Sequence, residues 1–374
     1  MTVPMGTGAK ASEVYSGVAR MAGVLWCTRA RAVPGKTAST AVVVVHPSSN
    51  FLGHYALDAW ARRGVDAIAM TTRYLGNDSA LLLENCVLDV AAVVGHLRNE
   101  GYQQVVLVGN SGGGGLVALY QEQATRATIT ASPGGIGPDL TQAVLPPVDA
   151  LVTLMAHPGR ANLLAEMLDP AIVDESTPAL RDPALDMFAK DNGPPYDPAW
   201  LAQYRAAQLA RNDRLTNLAL ERIEQVRELS EGQVNDVPML VHATCADPRN
   251  LDLTIDPSDR EPGTLWGEAA VANLIPTTLG HFTSAQSWLS QWSLRTSHGN
   301  GPERLTRTNV PVHVIYGTAD QACFPEHAQQ LYDAVPHERK KLSAIKGGKH
   351  YLNGQPELTE TMADVLVGWI EELG

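Results

Sequence analysis

The chain has 374 residues, a formal charge of −12, 44% apolar residues and 18% charged ones, a balance that excludes a largely disordered polypeptide. The length fits two domains, or one core with a large insertion. The acidic charge and the lack of clustered Lys and Arg exclude a generic nucleic-acid binder and a protein held on an anionic membrane surface. Met1 to Gly8 show neither a basic nor an apolar leader region, and no apolar run approaches the ~20 residues of a membrane-spanning helix. Cys27, Cys86, Cys245 and Cys323 are scattered, with no Cys-x-x-Cys pair. These features read as a cytoplasmic protein with reduced thiols.

Ala41 to Val45 is an unbroken β-branched run, the pattern of a strand covered on both faces. Asp58 to Arg63 follows as a short helix stopped by Gly64, and Ala67 to Met70 as a second strand. Between Glu84 and Asn99, Val87, Val90, Ala91, Val94 and Leu97 recur at helical spacing; Val105 to Val108 is another buried strand. This alternation predicts a parallel sheet with helices on both faces. Residues 138–309 differ in texture, with many prolines, helical stretches around Trp200–Arg211 and Leu215–Leu229, and a strand-like run at Met239–His242. Strand–helix units return with Val312–Tyr316, a helix opening at Pro325, Lys341–Ile345 and a helix over Glu357–Leu373. The expected organisation is a core of residues 1–137 and 310–374, with 138–309 as a mainly helical lid.

Gly109-Asn110-Ser111-Gly112-Gly113 stands between a strand and a helix and matches Gly-x-Ser-x-Gly. A turn that tight strains the Ser111 backbone and leaves no room for Cβ atoms at positions 109 and 113. It lifts the hydroxyl above the sheet edge and frees the Gly112 N–H to stabilise an oxyanion. The run fails both the dinucleotide pattern and the P-loop pattern. A nucleophilic serine needs a base and an orienting acid. Gly317-Thr318-Ala319-Asp320 and Gly347-Gly348-Lys349-His350 each follow a late strand, and supply them in the order Ser111, Asp320, His350. Asp247 sits in a similar string and competes for the acid, but only Asp320 precedes a helix that returns the chain to the His350 strand. His298, His313, His327 and His337 read as loop, strand or surface-helix residues, and no metal-binding His pattern is present.

These motifs resemble the α/β-hydrolase fold over residues 20–137 and 310–374. The resemblance implies a mostly parallel central sheet flanked by helices, with a Ser111–His350–Asp320 triad. The second oxyanion donor should come from His46-Pro47-Ser48-Ser49; Pro47 has no N–H, which leaves Ser48 or Ser49, with His46 bracing the loop. Phe51, Asn110 and Trp288 are expected at the substrate, and Phe51 and Trp288 form an aromatic set with Trp266, Phe282 and Trp292. Arg73 is expected to brace loops through Asp78 or Glu84, the other reading being a substrate carboxylate. The expected activity is hydrolysis of a small to medium hydrophobic carboxylic ester without cofactor or metal. A carbon–carbon bond hydrolase or lactonase is the alternative, a non-catalytic binding protein the remoter one, and a homodimer is allowed. Charges spread along the lid, at Arg205, Arg211, Asp213, Glu221 and Glu224, argue against opening at a lipid surface.

Overall fold

The computed structural model describes residues 1–5, 15–16, 19–20, 23–33, 39–276 and 278–373; Gly6 to Gly8 of the segment read for a leader, and parts of the first core stretch, lie outside them. One sheet holds eight strands: β1 (Thr2–Pro4), β2 (Val24–Ala30), β3 (Thr40–Val45), β4 (Asp66–Met70), β5 (Gln104–Asn110), β6 (Ala150–Leu154), β7 (Val312–Gly317) and β8 (Lys340–Ile345). Their order is β1-β2-β4-β3-β5-β6-β7-β8, with β2 antiparallel to both neighbours and the rest parallel. The helices are α1 (Leu57–Arg62), α2 (Leu83–Asn99), α3 (Gly113–Thr125), α4 (Arg160–Met167), α5 (Pro198–Leu229), α6 (Gly301–Leu305), α7 (Pro325–Ala334) and α8 (Pro356–Leu373), with shorter turns between them.

The unbroken apolar run of β3 follows from burial on both faces. Val43 and Val45 belong to the core layer that holds the buried apolar residues of α2, α3 and α7, whereas Val42 and Val44 belong to the opposite layer with those of α1 and α8. β1 and β2, a partly exposed edge, carry no comparable run. β6 corrects the expected division, because Ala150–Leu154 is a fully buried strand between β5 and β7 rather than part of the 138–309 stretch. It comes directly after Pro146-Pro147, so the proline-rich texture masks it. α6 also packs on α3, where a Cβ on Gly115 would lie 2.4 Å from Gly299 O. The inserted segment is therefore residues 156–299.

The long α5 organises that segment. Its Leu215, Ala219 and Ile223 pack against Leu164, Leu168, Trp288, Leu289 and Trp292. Arg211 is not a surface charge: fully buried, it donates to Glu175 at 2.8 Å and to the carbonyls of Asp169, Ala243 and His242. Pro238–Leu240 pairs with Phe282–Ser284 in a two-stranded ribbon outside the central sheet. Trp288–Trp292 forms a π-helical turn.

Two seams join the insert to the core. On the α2 side, Ser290 Oγ accepts from Leu83 N (2.9 Å) and donates to Glu84 (2.8 Å), while Ser287 Oγ and Gln291 Nε2 donate to the Leu81 and Asp78 carbonyls. On the α7 side, His327 Nε2 meets Glu166 at 2.8 Å, Asp259 N donates to Thr318 O, and Glu326 N donates to Asp256. His327 is thus a buried link between α7 and α4, not a surface residue.

Arg73 braces the core, but through Asp89 rather than Asp78 or Glu84. The Asp89 carboxylate accepts from Arg73 N (2.8 Å), Nε (3.0 Å) and Nη2 (2.7 Å), and both side chains are buried. Asp89→Ala breaks this buried ion pair and removes the acceptor of those Arg73 N–H groups, so it should cost about 3–5 kcal/mol in urea denaturation. A loss below about 1 kcal/mol would show the pair to be structurally idle.

Candidate active site

Ser111, at the C-terminal end of β5, has φ 55°, the strained left-handed conformation a nucleophile elbow imposes. Leu154 O, at the end of β6, accepts from both Ser111 N (3.1 Å) and Asn110 Nδ2 (2.7 Å), pinning the turn to the neighbouring strand. The flanking glycines are required by space. A Cβ on Gly109 would sit 2.4 Å from Gly113 O, and one on Gly113 would sit 2.2 Å from Val45 O. Among the described residues no acceptor takes the Gly112 N–H.

The loops after β7 and β8 deliver two partners. His350 Nε2 lies 3.0 Å from Ser111 Oγ, and His350 Nδ1 lies 2.8 Å from Asp320 Oδ2. The other carboxylate oxygen of Asp320 accepts from Ala322 N (2.7 Å) and Cys323 N (2.9 Å). A carboxylate fixed by two backbone donors holds the imidazole with Nδ1 protonated, leaving Nε2 to accept the serine proton. Asp247 is elsewhere, at the N-terminus of the 3₁₀ turn Pro248–Asn250 in the insert. It is paired with Arg205 (2.8 Å) and Arg249 (2.6 Å). Burial opposes its charge, but the two guanidiniums outweigh burial and hold the carboxyl well below the usual range.

Above Ser111 lies a cavity of about 390 Å³. The core contributes His46, Ser48, Ser49, Ala322, His350, Tyr351 and Asn353; the insert contributes His157, just after β6, with Arg160, Leu163, Leu265, Trp266, Leu279 and Trp292. The Arg160 guanidinium stacks over Trp292 at 4.2 Å and pairs with Asp78. Three expectations for substrate contacts are corrected. Phe51 is buried against His46, His54 and Tyr351. Asn110 is buried beneath the elbow, where its Oδ1 accepts from His54 Nε2 at 3.0 Å, since His54 Nδ1 already accepts from Ala56 N. Trp288 lies in the insert's own core, with Nε1 donating to Thr216. Trp266 and Trp292 face the cavity instead. Ser48 does line it, but the backbone N–H groups of Ser48 and Ser49 donate to His46 Nδ1 at 3.1 and 2.9 Å. Neither is free to meet an oxyanion, because the histidine that braces the loop occupies both.

The acid assignment is open to a direct comparison. Asp320→Asn should slow fluorophosphonate labelling of Ser111 by on the order of 10³ or more, by favouring the wrong His350 tautomer, whereas Asp247→Asn should mainly lower stability. The opposite ranking would transfer the role to Asp247. Buried neutral histidines give a second test. Burial lowers His54 to about 4 and His157 and His313 to about 3, and holds His46 well below its ordinary value, with Arg160 adding to it. In the unfolded chain these rings titrate near 6.5, so below that pH the unfolded state takes up protons that the folded state refuses. Stability should be full above about pH 6.5 and fall toward pH 4, by up to about 1.4 kcal/mol per pH unit for each ring. A flat denaturation profile over that window would contradict the neutral rings.

The alpha/beta hydrolase family profile matches residues 42–361. No curated protein sequence matches significantly. Among solved structures, the chain is similar to the esterase domain of a Rhodothermus marinus protein, with 12% identity over 99% of this chain and 95% of that one and a TM-score of 0.47. It is similar to a monoacylglycerol lipase of Paleococcus ferrophilus (15% identity, 92% and 97% covered, TM-score 0.45). It is also similar to a meta-cleavage product hydrolase of Pseudomonas fluorescens (13% identity, 94% and 95% covered, TM-score 0.44). With the family profile spanning both core segments and the insert between them, the chain belongs to the alpha/beta hydrolase family.

Proposed function

We propose that this hydrolase cleaves carboxylic esters through an acyl-enzyme on Ser111. The observation that carries the reading is the 3.0 Å approach of His350 Nε2 to Ser111 Oγ inside a partly apolar cavity. Ser111 Oγ attacks the acyl carbon while His350 takes its proton, and Asp320 stabilises the imidazolium. The Gly112 N–H at the start of α3 faces the oxygen that gains charge. His350 then protonates the leaving alcohol, and a water, deprotonated by the same ring, releases the acid.

Leu163, Leu265, Trp266, Leu279 and Trp292 provide the apolar surface, so a small to medium hydrophobic ester fits the volume. Asp213, Glu221 and Glu224, exposed on α5, make that face of the insert unsuited to a lipid surface. No described helix is long and apolar enough to cross a membrane. The four cysteines are unpaired and buried, which suits a reducing compartment such as the cytoplasm.

The test is a panel of esters, thioesters, lactones and dicarbonyl compounds with wild type and Ser111→Ala. Short-chain aryl esters should turn over, and the variant should lose at least about 10³ in kcat with an unchanged thermal midpoint. Variant activity within tenfold of wild type would remove Ser111 from the reaction. Preferential cleavage of dicarbonyl compounds or lactones would replace the ester assignment. A sharp rate rise once ester droplets form would identify a lipase.

A further inference from the structure

The donor that should stand beside Gly112 is not supplied by the backbone of Pro47, Ser48 or Ser49 in the loop after β3. Pro47 has no N–H, and the N–H groups of Ser48 and Ser49 both point at His46 Nδ1. Those two bonds settle the tautomer. A ring nitrogen that accepts two N–H groups carries no proton, so the hydrogen of the neutral ring is on Nε2. Burial, with Arg160 nearby, keeps the ring from taking a second proton.

His46 Nε2 makes no hydrogen bond to any described residue, although the residue, 8% exposed, lines the cavity. A Cβ built on Gly112 would lie 2.8 Å from this nitrogen. Because a Cβ is about 2.5 Å from its own backbone N, His46 Nε2 and Gly112 N stand at most about 5.3 Å apart. One oxygen about 2.9 Å from each fits between them.

We propose that His46 Nε2–H is the second oxyanion donor, a side chain serving where the backbone of residues 47–49 cannot. The inference rests on the serine hydrolase reading above. As Ser111 Oγ bonds to the acyl carbon, the carbonyl π pair moves onto oxygen and is met by two N–H groups, Gly112 and His46. His350 alone carries the transferred proton, and His46 keeps its own throughout. The Ser48 and Ser49 anchors hold the imidazole in place before the charge develops, so little reorganisation is needed at the transition state. Tyr351 is the rival donor: it lines the same cavity, its ring centroid is 4.3 Å from that of His350, and its phenol interacts with Ser111.

Two substitutions separate donation from loop bracing. His46→Asn keeps an acceptor for the Ser48 and Ser49 N–H groups but places nothing at the Nε2 position. His46→Gln brings an amide N–H near that position and gives up the Nδ1 acceptor. With a soluble aryl ester, H46N should lose about 10²–10³ in kcat with KM within a few-fold, the loss typical of one oxyanion donor. H46Q should recover at least tenfold over H46N, and Tyr351→Phe should lose less than H46N. Folded H46N with kcat within tenfold of wild type overturns the proposal. An H46Q loss as large as that of H46N, or larger, means that a returned N–H gives no rescue, and a larger loss in Y351F moves the role to Tyr351; either result overturns it.

A measurement on the wild-type enzyme covers the case in which the variants do not fold. In ¹⁵N-histidine NMR, a trifluoromethyl ketone adduct on Ser111 should shift the His46 Nε2–H proton downfield, and an unmoved resonance overturns the proposal. If wild type neither hydrolyses the ester nor labels at Ser111, the serine hydrolase reading fails and this inference falls with it. If both occur and H46N is unimpaired, only the donor is lost.

Discussion

Everything at the site hangs on how closely α3 approaches the sheet. Gly113 packs so near Val45 O that no side chain fits, and the price is a Ser111 residue at φ 55°, a conformation costing on the order of 1–3 kcal/mol. Leu154 O offsets part of that cost by accepting from Ser111 N and Asn110 Nδ2. Asn110 is held in turn by His54, whose other nitrogen accepts from Ala56 N. The position of one hydroxyl is therefore specified by three neighbouring parallel strands, β3, β5 and β6, and by a polar chain running beneath the elbow. His350 and Asp320 can stand on loops because the group they serve does not move.

Parallel strand direction explains why the cavity forms where it does. His46, Ser111, His157, Asp320 and His350 follow β3, β5, β6, β7 and β8, so every one emerges at the same sheet edge. An open α/β sheet leaves its crevice outside the carboxyl ends of its strands. The insert leaves the core directly after β6 and returns just before α6, which puts its own side chains over that edge. Chemistry and enclosure thus come from different stretches of one chain.

How much of this the sequence revealed depends on the range of the interaction. Ser111, Asp320 and His350 were legible because each sits in a short motif after a strand, and their order along the chain restricts the pairing. The β3 run was legible because burial on both faces leaves no polar positions. β6 was not, since Pro146-Pro147 gave its surroundings the texture of the insert, and with it went His157 and Arg160 of the cavity. The available signal was Ala150-Leu151-Val152-Thr153-Leu154 followed by Met-Ala-His-Pro-Gly-Arg, an apolar run leading into chemistry-bearing residues. Phe51, Asn110 and Trp288 were misplaced because residue type does not encode which side of a loop or helix faces a void. Ser48 failed as a donor for a reason no local pattern carries: its N–H is consumed by a histidine ring two residues earlier, and only the folded loop shows it.

The two seams have a mechanical consequence. A flap swings about one edge, whereas a vault is supported on both. Ser287, Ser290 and Gln291 fasten the insert to the segment leading into α2, while Glu166, Asp256 and Asp259 fasten it to α7 and the Asp320 loop. Lifting it as one piece would break polar contacts along both supports at once. With both supports in place, access to Ser111 is set by the side chains that line the cavity.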